Sequence, residues 1–232
     1  MYKIINESGN HRGYQYSEYG LNILSDIFVK QDSKKYKPCM ENGFYFTDIH
    51  HILMYLEYGI YLWRIDLPTE DKDFIMEKDP IDEKYRSNKI ILSQKYDLRL
   101  KSTFEFLVEN GVDIKIDNNR AIRWASKNGF IDIVEYLIEQ GANYRVLDNE
   151  SLYLACENGH INVVNLLLNH GVHPLLSKYL LGAIRCGSLN IVKILISNGA
   201  DYKFSDNICL RTAILCNHAD IIAYLNLLNN KN

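Results

Sequence analysis

The 232-residue chain has no run of eighteen apolar residues, which is about the length that a membrane-spanning helix requires. Its N-terminus also lacks the basic and then apolar segments that mark a secretory signal peptide. These two absences predict a protein that is neither secreted nor inserted in a membrane. We therefore expect it in the cytoplasm.

A strong charge of either sign is missing as well. The chain carries 26 Lys and Arg against 29 Asp and Glu, a formal net charge of −3. Residues 1–98 contain 13 basic and 16 acidic residues, and the remaining residues contain 13 of each. Because nucleic-acid binders concentrate basic charge on one domain or face, neither half is expected to bind nucleic acid.

Candidates for chemistry are few. The five cysteines are an odd number without a close pairing motif, so we predict that they are reduced. His50 and His51 are adjacent and point to different sides of a helix, whereas a helical metal pair requires a spacing of four residues. We predict no metal site, no cofactor and no catalytic residue. The cysteines are Cys39, Cys156, Cys186, Cys209 and Cys216.

What the chain does contain is a repeat in its second half. An alanine is followed sixteen residues later by a glycine or asparagine in four units, 125–141, 155–171, 183–199 and 213–229. The gap to the next alanine is fourteen residues after Gly141 but twelve after Gly171, so length changes fall outside the unit. A constant unit with a period near thirty residues predicts stacked helix pairs that bury their apolar faces against their neighbours.

Each unit can be divided into two helices at a central turn, such as Gly159. After that turn the apolar residues follow a helical stripe, and Gly171 is expected to end the second helix in the left-handed conformation. A partial unit at residues 102–111 supplies a second helix only, with Ser102 as its predicted N-cap. At the other end, Asn226, Asn229, Asn230 and Asn232 predict a polar terminal repeat that acts as a cap.

The pattern of residues 155–171, Ala-x-x-x-Gly-His-x-x-Val-Val-x-x-Leu-Leu-x-x-Gly, resembles the ankyrin repeat. The resemblance covers about residues 100–229. It implies an α-helical ankyrin solenoid of about 4.5 repeats in residues 99–232, and a non-enzymatic module for protein–protein interaction. The gap between repeats is about three residues shorter than in the family, which predicts short β-hairpin fingers. His160 and His218 occupy the position where the family's histidine stabilises the turn.

In an ankyrin repeat the exposed positions of the first helix lie one residue before the alanine and two or three residues after it. An aromatic anchor beside mixed charges is typical of an interaction hot spot, so we predict that this concave face binds a protein partner. The opposite interpretation, that Trp124 and Leu154 pack inside the protein, stays open. The partner is unidentified, a host protein is one candidate, and we expect the chain itself to be a monomer. The predicted partner-binding residues are Trp124, Lys127, Asn128, Leu154, Glu157, Asn158, Arg185 and Leu215.

Residues 1–98 lack the repeat and contain short β-type runs at 2–5, 43–47, 59–67, 74–77 and 89–93. An amphipathic helix is predicted over residues 48–58, with Asp48 as N-cap and Ile49, Ile52, Leu53 and Leu56 on one face. The pattern predicts a small α+β domain. Segments 43–48, 58–62, 78–80 and 86–92 resemble the leader domain that precedes ankyrin repeats in giant DNA viruses of the mimivirus type. That resemblance implies a location in the cytoplasm of the host cell.

One enzymatic alternative rests on the run Gly43-Phe44-Tyr45-Phe46-Thr47, followed by a helix and a strand. This order resembles the Gly-x-Tyr-Phe segment of ADP-ribosyltransferases, which clasps the nicotinamide end of NAD. The family's histidine-bearing first strand and its catalytic glutamate have no match, because His11 is not followed by Gly-Thr and Glu77 and Glu83 stand outside any motif. The one segment that does match leaves an alternative function open, an ADP-ribosyltransferase-like N-terminal domain that the ankyrin array directs to its target.

Overall fold

The computed structural model describes residues 1–11, 14–24, 28, 43–172 and 177–230. Contacts within the chain divide it into two compact units, Met1–Ile116 and Asp117–Asn232. Cys39 and Asn232 lie outside the described residues. The boundary expected at residue 98 concerns which segment folds independently, and it stays a prediction.

The first helix, α1 (Lys101–Glu109), belongs to the N-terminal unit. Its Thr103 hydroxyl donates a hydrogen bond to the carbonyl of Asp97 at 2.5 Å. The ring of Phe106 also stacks on Tyr96 with centroids 4.6 Å apart. The predicted N-cap is wrong by two residues, since α1 begins at Lys101 and no side chain caps it.

The N-terminal unit consists of short antiparallel strands. One sheet has the order β1-β6-β9-β4, a second has the order β5-β8-β7, and β2 pairs with β3. The strand-rich character predicted for this region is confirmed, although β2, β3, β4 and β8 were not among the predicted runs. The strands are β1 Tyr2–Ile5, β2 Asn10–His11, β3 Tyr14–Gln15, β4 Gly20–Ile23, β5 Phe44–Phe46, β6 Tyr61–Asp66, β7 Met76–Lys78, β8 Tyr85–Ser87 and β9 Lys89–Asp97.

Side chains from both sheets form the core of this unit. Successive residues of a strand point to opposite faces, and the inward positions of β9 are occupied by Ile90 and Leu92. Phe44 and Phe46 of β5 enter the same cluster, and the ring of Tyr14 meets Phe44 edge to face at 4.7 Å. Burial of these large rings provides the main hydrophobic stabilisation of the unit.

The segment predicted as an α-helix forms a 3₁₀ helix, Ile52–Tyr58. One Asp48 carboxylate oxygen accepts hydrogen bonds from the backbone N–H groups of His50 and His51, at 2.9 and 3.1 Å, in the turn before this helix. Ile52 is buried together with Leu53 and Leu56, which confirms the predicted inner face. The buried apolar face agrees with the prediction, but the helix is of the 3₁₀ type and not an α-helix.

The second unit consists of helix pairs. The first helix of each pair contacts the first helix of the next, as α4 does with α6 and α6 with α8, and the second helices α3, α5, α7 and α9 contact one another in the same order. Ala125, Ala155, Ala183 and Ala213 are fully buried, as the spacing predicts. The helices are α2 Ile116–Asn128, α3 Ile131–Glu139, α4 Val146–Glu157, α5 Ile161–Asn169, α6 Ser177–Cys186, α7 Leu189–Ser197, α8 Phe204–Leu215 and α9 Ala219–Asn229.

The β-hairpin fingers expected between repeats are absent from the described connections. In their place, α2, α4 and α8 each begin with three successive residues in the left-handed conformation, 117–119, 147–149 and 205–207. More distant residues support the first two of these turns: the Tyr179 hydroxyl donates to the carbonyl of Asp148 at 2.8 Å, and Asn119 Oδ1 accepts the N–H of Asn143 at 2.7 Å. The shortened gap is therefore closed by tight turns, two of which are stabilised by tertiary hydrogen bonds.

Replacing Leu147 with asparagine is expected to stabilise the protein by about 1 kcal/mol. Leu147 has φ 50°, a conformation that costs a β-carbon residue about 1–2 kcal/mol and that asparagine tolerates better. Its side chain is exposed, so little apolar burial is lost. Leu227→Asn is the matched control, because Leu227 is equally exposed on α9, which has no left-handed residues. The midpoint of thermal unfolding should rise for the first variant only, and a fall at Leu147 would contradict the strained turn.

Candidate functional site

The candidate interaction surface is set by the buried alanines of the first helices. Two residues after each alanine the side chain is Lys127, Glu157, Arg185 or Leu215. Arg185 and Leu215 are exposed, the latter at 85%, whereas Lys127 and Glu157 are half-buried. This position thus carries a different residue in each unit, whereas the alanine two residues before it is the same and is buried in all four.

The next position carries two of the predicted site residues, Asn128 and Asn158, and both are exposed. Each side-chain amide donates to the carbonyl four residues earlier: Asn128 to Trp124 at 2.8 Å and Asn158 to Leu154 at 2.9 Å. The Leu154 carbonyl also accepts the backbone N–H of Asn158 at 3.1 Å, so the side-chain amide adds a second hydrogen bond at the end of this helix. Both asparagines therefore cap their own helices and still present one polar edge to solvent.

Of the two interpretations left open for Trp124, packing inside the protein is the one observed. The Trp124 side chain is only 4% exposed, and its ring lies 5.2 Å from that of Phe130. Gly182, at the same position of a later repeat, is also buried, and a β-carbon there would lie 3.3 Å from the backbone nitrogen of Glu157. The residue before the alanine thus faces a neighbouring helix, and Leu154 at this position is half-buried.

Two histidines form hydrogen bonds between successive repeats. His160 Nε2 donates to the carbonyl of Lys127 at 2.9 Å, and His218 Nε2 donates to the carbonyl of Arg185 at 3.2 Å. Because a carbonyl can only accept, these contacts require the Nε2–H form of each ring. The structural role predicted for both histidines is confirmed, and the backbone beneath two candidate site residues is held in place by it.

The terminal repeat differs from the polar cap that its asparagines predict. Ile214, Leu215 and Leu227 are all exposed large apolar side chains. Leu215 was among the predicted site residues, whereas Ile214 and Leu227 were not. In the three earlier units the position of Ile214 is occupied by Ser126, Cys156 and Ile184, which are fully buried.

Two buried cysteine thiols of the second unit are packed in the protein interior and are poor nucleophiles. Burial raises the pKa of the Cys156 thiol, and burial together with the nearby Asp201 raises the pKa of Cys209 to about 12. The thiolate is the nucleophilic form, so both groups are inert near neutral pH. Cys156, Cys186, Cys209 and Cys216 are free thiols in the described part of the chain.

The adjacent histidines of the N-terminal unit have separate partners. His51 Nδ1 lies 2.9 Å from an oxygen of Asp48, and His50 Nδ1 lies 3.3 Å from the carbonyl of Gly111. No group of three or more His, Cys, Asp or Glu side chains that could hold a metal ion occurs among the residues described. Within the same residues, no helix has the length and hydropathy needed to cross a membrane.

A cavity of about 60 Å³ lies in the N-terminal unit beside Tyr45, the residue central to the transferase alternative. Its walls are mainly tyrosine and aliphatic side chains with two lysines, and neither a glutamate nor a histidine is among the described residues that line it. The glutamates considered for catalysis form ion pairs, Glu77 with Arg86 and Glu83 with Lys78. The catalytic carboxylate that the alternative requires is therefore not found in the described part of the lining. The lining residues are Tyr2, Lys3, Ile4, Tyr45, Phe46, Thr47, Ile52, Tyr55, Tyr58 and Lys84.

Comparison with known proteins identifies the repeats. A family model described as ankyrin repeats (3 copies) matches residues 95–178. An ankyrin repeat protein of Acanthamoeba polyphaga mimivirus is 44% identical over 133 residues, which are 57% of this chain and 63% of that protein. An uncharacterized protein of the same virus is 39% identical over 136 residues, which are 57% of this chain and 93% of that protein.

The chain is an ankyrin repeat protein. A second ankyrin repeat protein of the virus is 44% identical over 119 residues, 50% of this chain and 37% of that relative. The matches thus span less than two thirds of the length of both named ankyrin repeat relatives. These relatives are encoded by a giant virus, in agreement with the mimivirus-type resemblance noted in the sequence. The resemblance of the N-terminal unit to a leader domain stays a prediction.

Proposed function

We propose that this ankyrin repeat protein is a non-enzymatic module that binds a protein partner through the exposed residues of its first helices. The observation that carries the proposal is the contrast between two positions of the repeat. The alanine is identical and fully buried in four units, while the residue two places later varies from Lys127 to Glu157, Arg185 and Leu215. A constant framework with a varied surface is how repeat proteins encode recognition of a particular partner.

The partner contacts would come chiefly from the later repeats. Arg185 and Leu215 are the most exposed members of the varied position, and an arginine beside an apolar side chain is typical of an interaction hot spot. Asn128 and Asn158 would add hydrogen bonds at the edge of the surface, with Lys127, Glu157 and Leu154 contributing their exposed portions. Trp124 is omitted from this set because it is buried.

The array itself would be a solenoid of about 4.5 repeats in which α4, α6 and α8 form one continuous layer. The contacts of α4 with α6 and of α6 with α8 support this arrangement. The partner would be a host protein, met in the cytoplasm of an infected cell, since the relatives are viral. Residues 1–98 would form a separate domain that resembles the leader domain of these viral proteins.

The proposal is tested by capture of proteins from host-cell lysate on the immobilised full chain. The Arg185→Glu/Leu215→Glu variant should bind its partner at least about thirtyfold more weakly, because loss of one hot-spot side chain commonly costs about 2 kcal/mol. Lys193→Glu/Leu227→Glu is the matched control, since it makes the same two chemical changes at exposed positions of the second helices.

Capture is measured by quantitative mass spectrometry, and circular dichroism checks that both variants remain helical. The proposal requires one set of proteins that the control retains and the first-helix variant loses. Equal capture by the two variants would assign the binding to another surface. Hydrolysis of NAD by the full chain, removed by Tyr45→Ala, would instead support the transferase alternative.

A further inference from the structure

Four tyrosines line the cavity of the N-terminal unit that lies beside Tyr45. They are Tyr2 on β1, Tyr45 on β5, and Tyr55 and Tyr58 on the 3₁₀ helix. The rings of the last two lie 6.2 Å apart and are tilted by 44°. The face of an aromatic ring carries negative potential and attracts a cation that lies within about 6 Å of its centre. Walls of this composition therefore favour a positively charged group.

The fixed charges beside the cavity also favour a cation. Lys84 Nζ lies 5.6 Å from the centre of the Tyr45 ring. The same ammonium contacts Asp82 at 2.6 Å and Asp79 at 3.6 Å. Burial raises the pKa of Tyr55 to about 12, with the lysine opposing this shift and the two aspartates adding to it, so all three charges act on the Tyr55 hydroxyl. One lysine and two aspartates leave an excess of one negative charge beside the tyrosines.

The second lysine of the lining, Lys3, directs its charge elsewhere. Its Nζ donates a hydrogen bond to the carbonyl of Tyr45 at 2.8 Å. The same Nζ lies 5.4 Å from the ring of Tyr16, which belongs to the core cluster of the unit. Successive side chains of a strand point to opposite faces, so Tyr2 and Ile4 point the other way from β1. The Lys3 ammonium thus lies on the face of β1 opposite to the Tyr2 ring.

The cavity suits the head of a quaternary ammonium compound in both size and polarity. Its volume is about 60 Å³, and about 10–15 Å³ is enough for one water, so it accepts a group of about four to six atoms. A trimethylammonium group, with one nitrogen and three methyl carbons, is of this size. A primary ammonium would bring three N–H groups that need acceptors, whereas a quaternary ammonium brings none. Walls made mainly of rings and aliphatic side chains therefore select the quaternary form.

We propose that this cavity of the N-terminal unit binds the quaternary ammonium group of a small compound of the choline type. The tyrosine rings contact its methyl groups, and the aspartates beside Lys84 offset its charge. The site lies outside the ankyrin repeats and is independent of the proposed partner binding, so failure of one proposal leaves the other unaffected. It gives the N-terminal unit a role that requires no catalytic carboxylate.

The first test is titration of the full chain with choline, measured by isothermal titration calorimetry. Choline should bind about tenfold more tightly than 3,3-dimethylbutan-1-ol, in which a carbon atom replaces the nitrogen, because only the charged compound is attracted to the ring faces. Equal affinities would overturn the proposal, since a merely apolar cavity does not distinguish the two compounds. Absence of saturable choline binding would overturn it too, as would tighter binding of benzoate, an aromatic anion.

Tyr58 carries the matched variants, because its side chain is 47% exposed and its replacement leaves the core in place. Tyr58→Phe keeps the ring and should bind choline within about twofold of the wild type, whereas Tyr58→Leu should bind it about fivefold more weakly. Tyr19→Leu is the control, since it makes the same change at an exposed tyrosine that does not line the cavity. Equal affinities of the two leucine variants for choline would contradict the assigned site. Circular dichroism of each variant excludes unfolding as the cause of weaker binding.

Removal of one carboxylate tests the role of charge. Asp82→Asn keeps an acceptor for Lys84 but abolishes the negative excess, so it should weaken choline binding about threefold to fivefold and leave the neutral alcohol unaffected. Unchanged choline binding would overturn the electrostatic part of the proposal. Phosphatidylcholine vesicles and a trimethyl-lysine peptide present the same group on a membrane and on a protein. Tighter binding of either than of choline would overturn the assignment to a small compound.

Discussion

Replacing Gly59 with alanine is expected to destabilise the N-terminal unit by about 3 kcal/mol. A β-carbon at this position would lie 2.3 Å from the carbonyl carbon and oxygen of Ile5 and 2.4 Å from the nitrogen of Asn6. These are backbone atoms at the end of β1, so no side chain can rotate to make room. The φ of Gly59 is 163°, an extended conformation open to any residue, so the whole penalty is steric.

Gly20→Ala is the matched control for this prediction. Gly20 lies in the same unit at the start of β4, and no atom lies within 4 Å of a β-carbon built there. Its effect should stay within about 0.5 kcal/mol. The two variants are compared by urea denaturation of the full chain, followed by near-UV circular dichroism of the aromatic core. Equal midpoints for the two would show that β1 and Gly59 do not approach as closely as described.

Gly129→Ala should destabilise the repeats by a similar amount, about 3 kcal/mol, through two separate causes. Gly129 has φ 75°, a conformation that costs a residue with a β-carbon about 1–2 kcal/mol. The added carbon would also lie 2.4 Å from Nδ1 of His160, whose other ring nitrogen holds the carbonyl of Lys127. The clash would push the histidine out of the bond that joins two repeats.

Two comparisons separate these causes. Gly199→Ala carries the backbone strain alone, because its φ is 94° and nothing lies within 4 Å of the added carbon. The excess loss at Gly129 over Gly199 therefore measures the histidine contact. In the double variant Gly129→Ala/His160→Ala the clash is absent, so the combined loss should be smaller than the sum of the two single losses. Additive losses would show that His160 does not pack on this turn.

The helix pairs could be predicted from sequence because their signals are local and repeated. The fixed spacing from Ala155 to Gly171 requires one turn and one helical stripe, and the same spacing in four units makes an accidental pattern improbable. The fourth unit, 213–229, keeps the same central turn, because Asn217 takes the left-handed conformation at φ 58° where the other units have glycine. Asparagine tolerates that conformation better than most residues, so the turn survives the change.

The short strands were harder to predict. The run at residues 2–5 matches β1. Strand β4 was not predicted, because its apolar side chains point outward and its polar side chain points inward. Leu21 and Ile23 of β4 are exposed while Asn22 is buried, with its amide bonded to Ser17. A polar side chain turned inward is stable only because another segment supplies its hydrogen bonds, and periodicity cannot show that segment. The 3₁₀ form of Ile52–Tyr58 is a similar case, since its apolar face is that of an α-helix.

The sequence by itself determined the class of protein, the helix pairs and their buried alanines, because each depends on spacing within about thirty residues. Only the tertiary structure decided which positions reach solvent. Trp124 is buried, although its position one residue before the alanine predicts exposure. The left-handed turns at 117–119 and 147–149 also take hydrogen bonds from more distant residues, Asn143 and Tyr179. Exposure and strained turns are set by which residues from distant parts of the chain lie nearby, and spacing along the sequence does not contain that information.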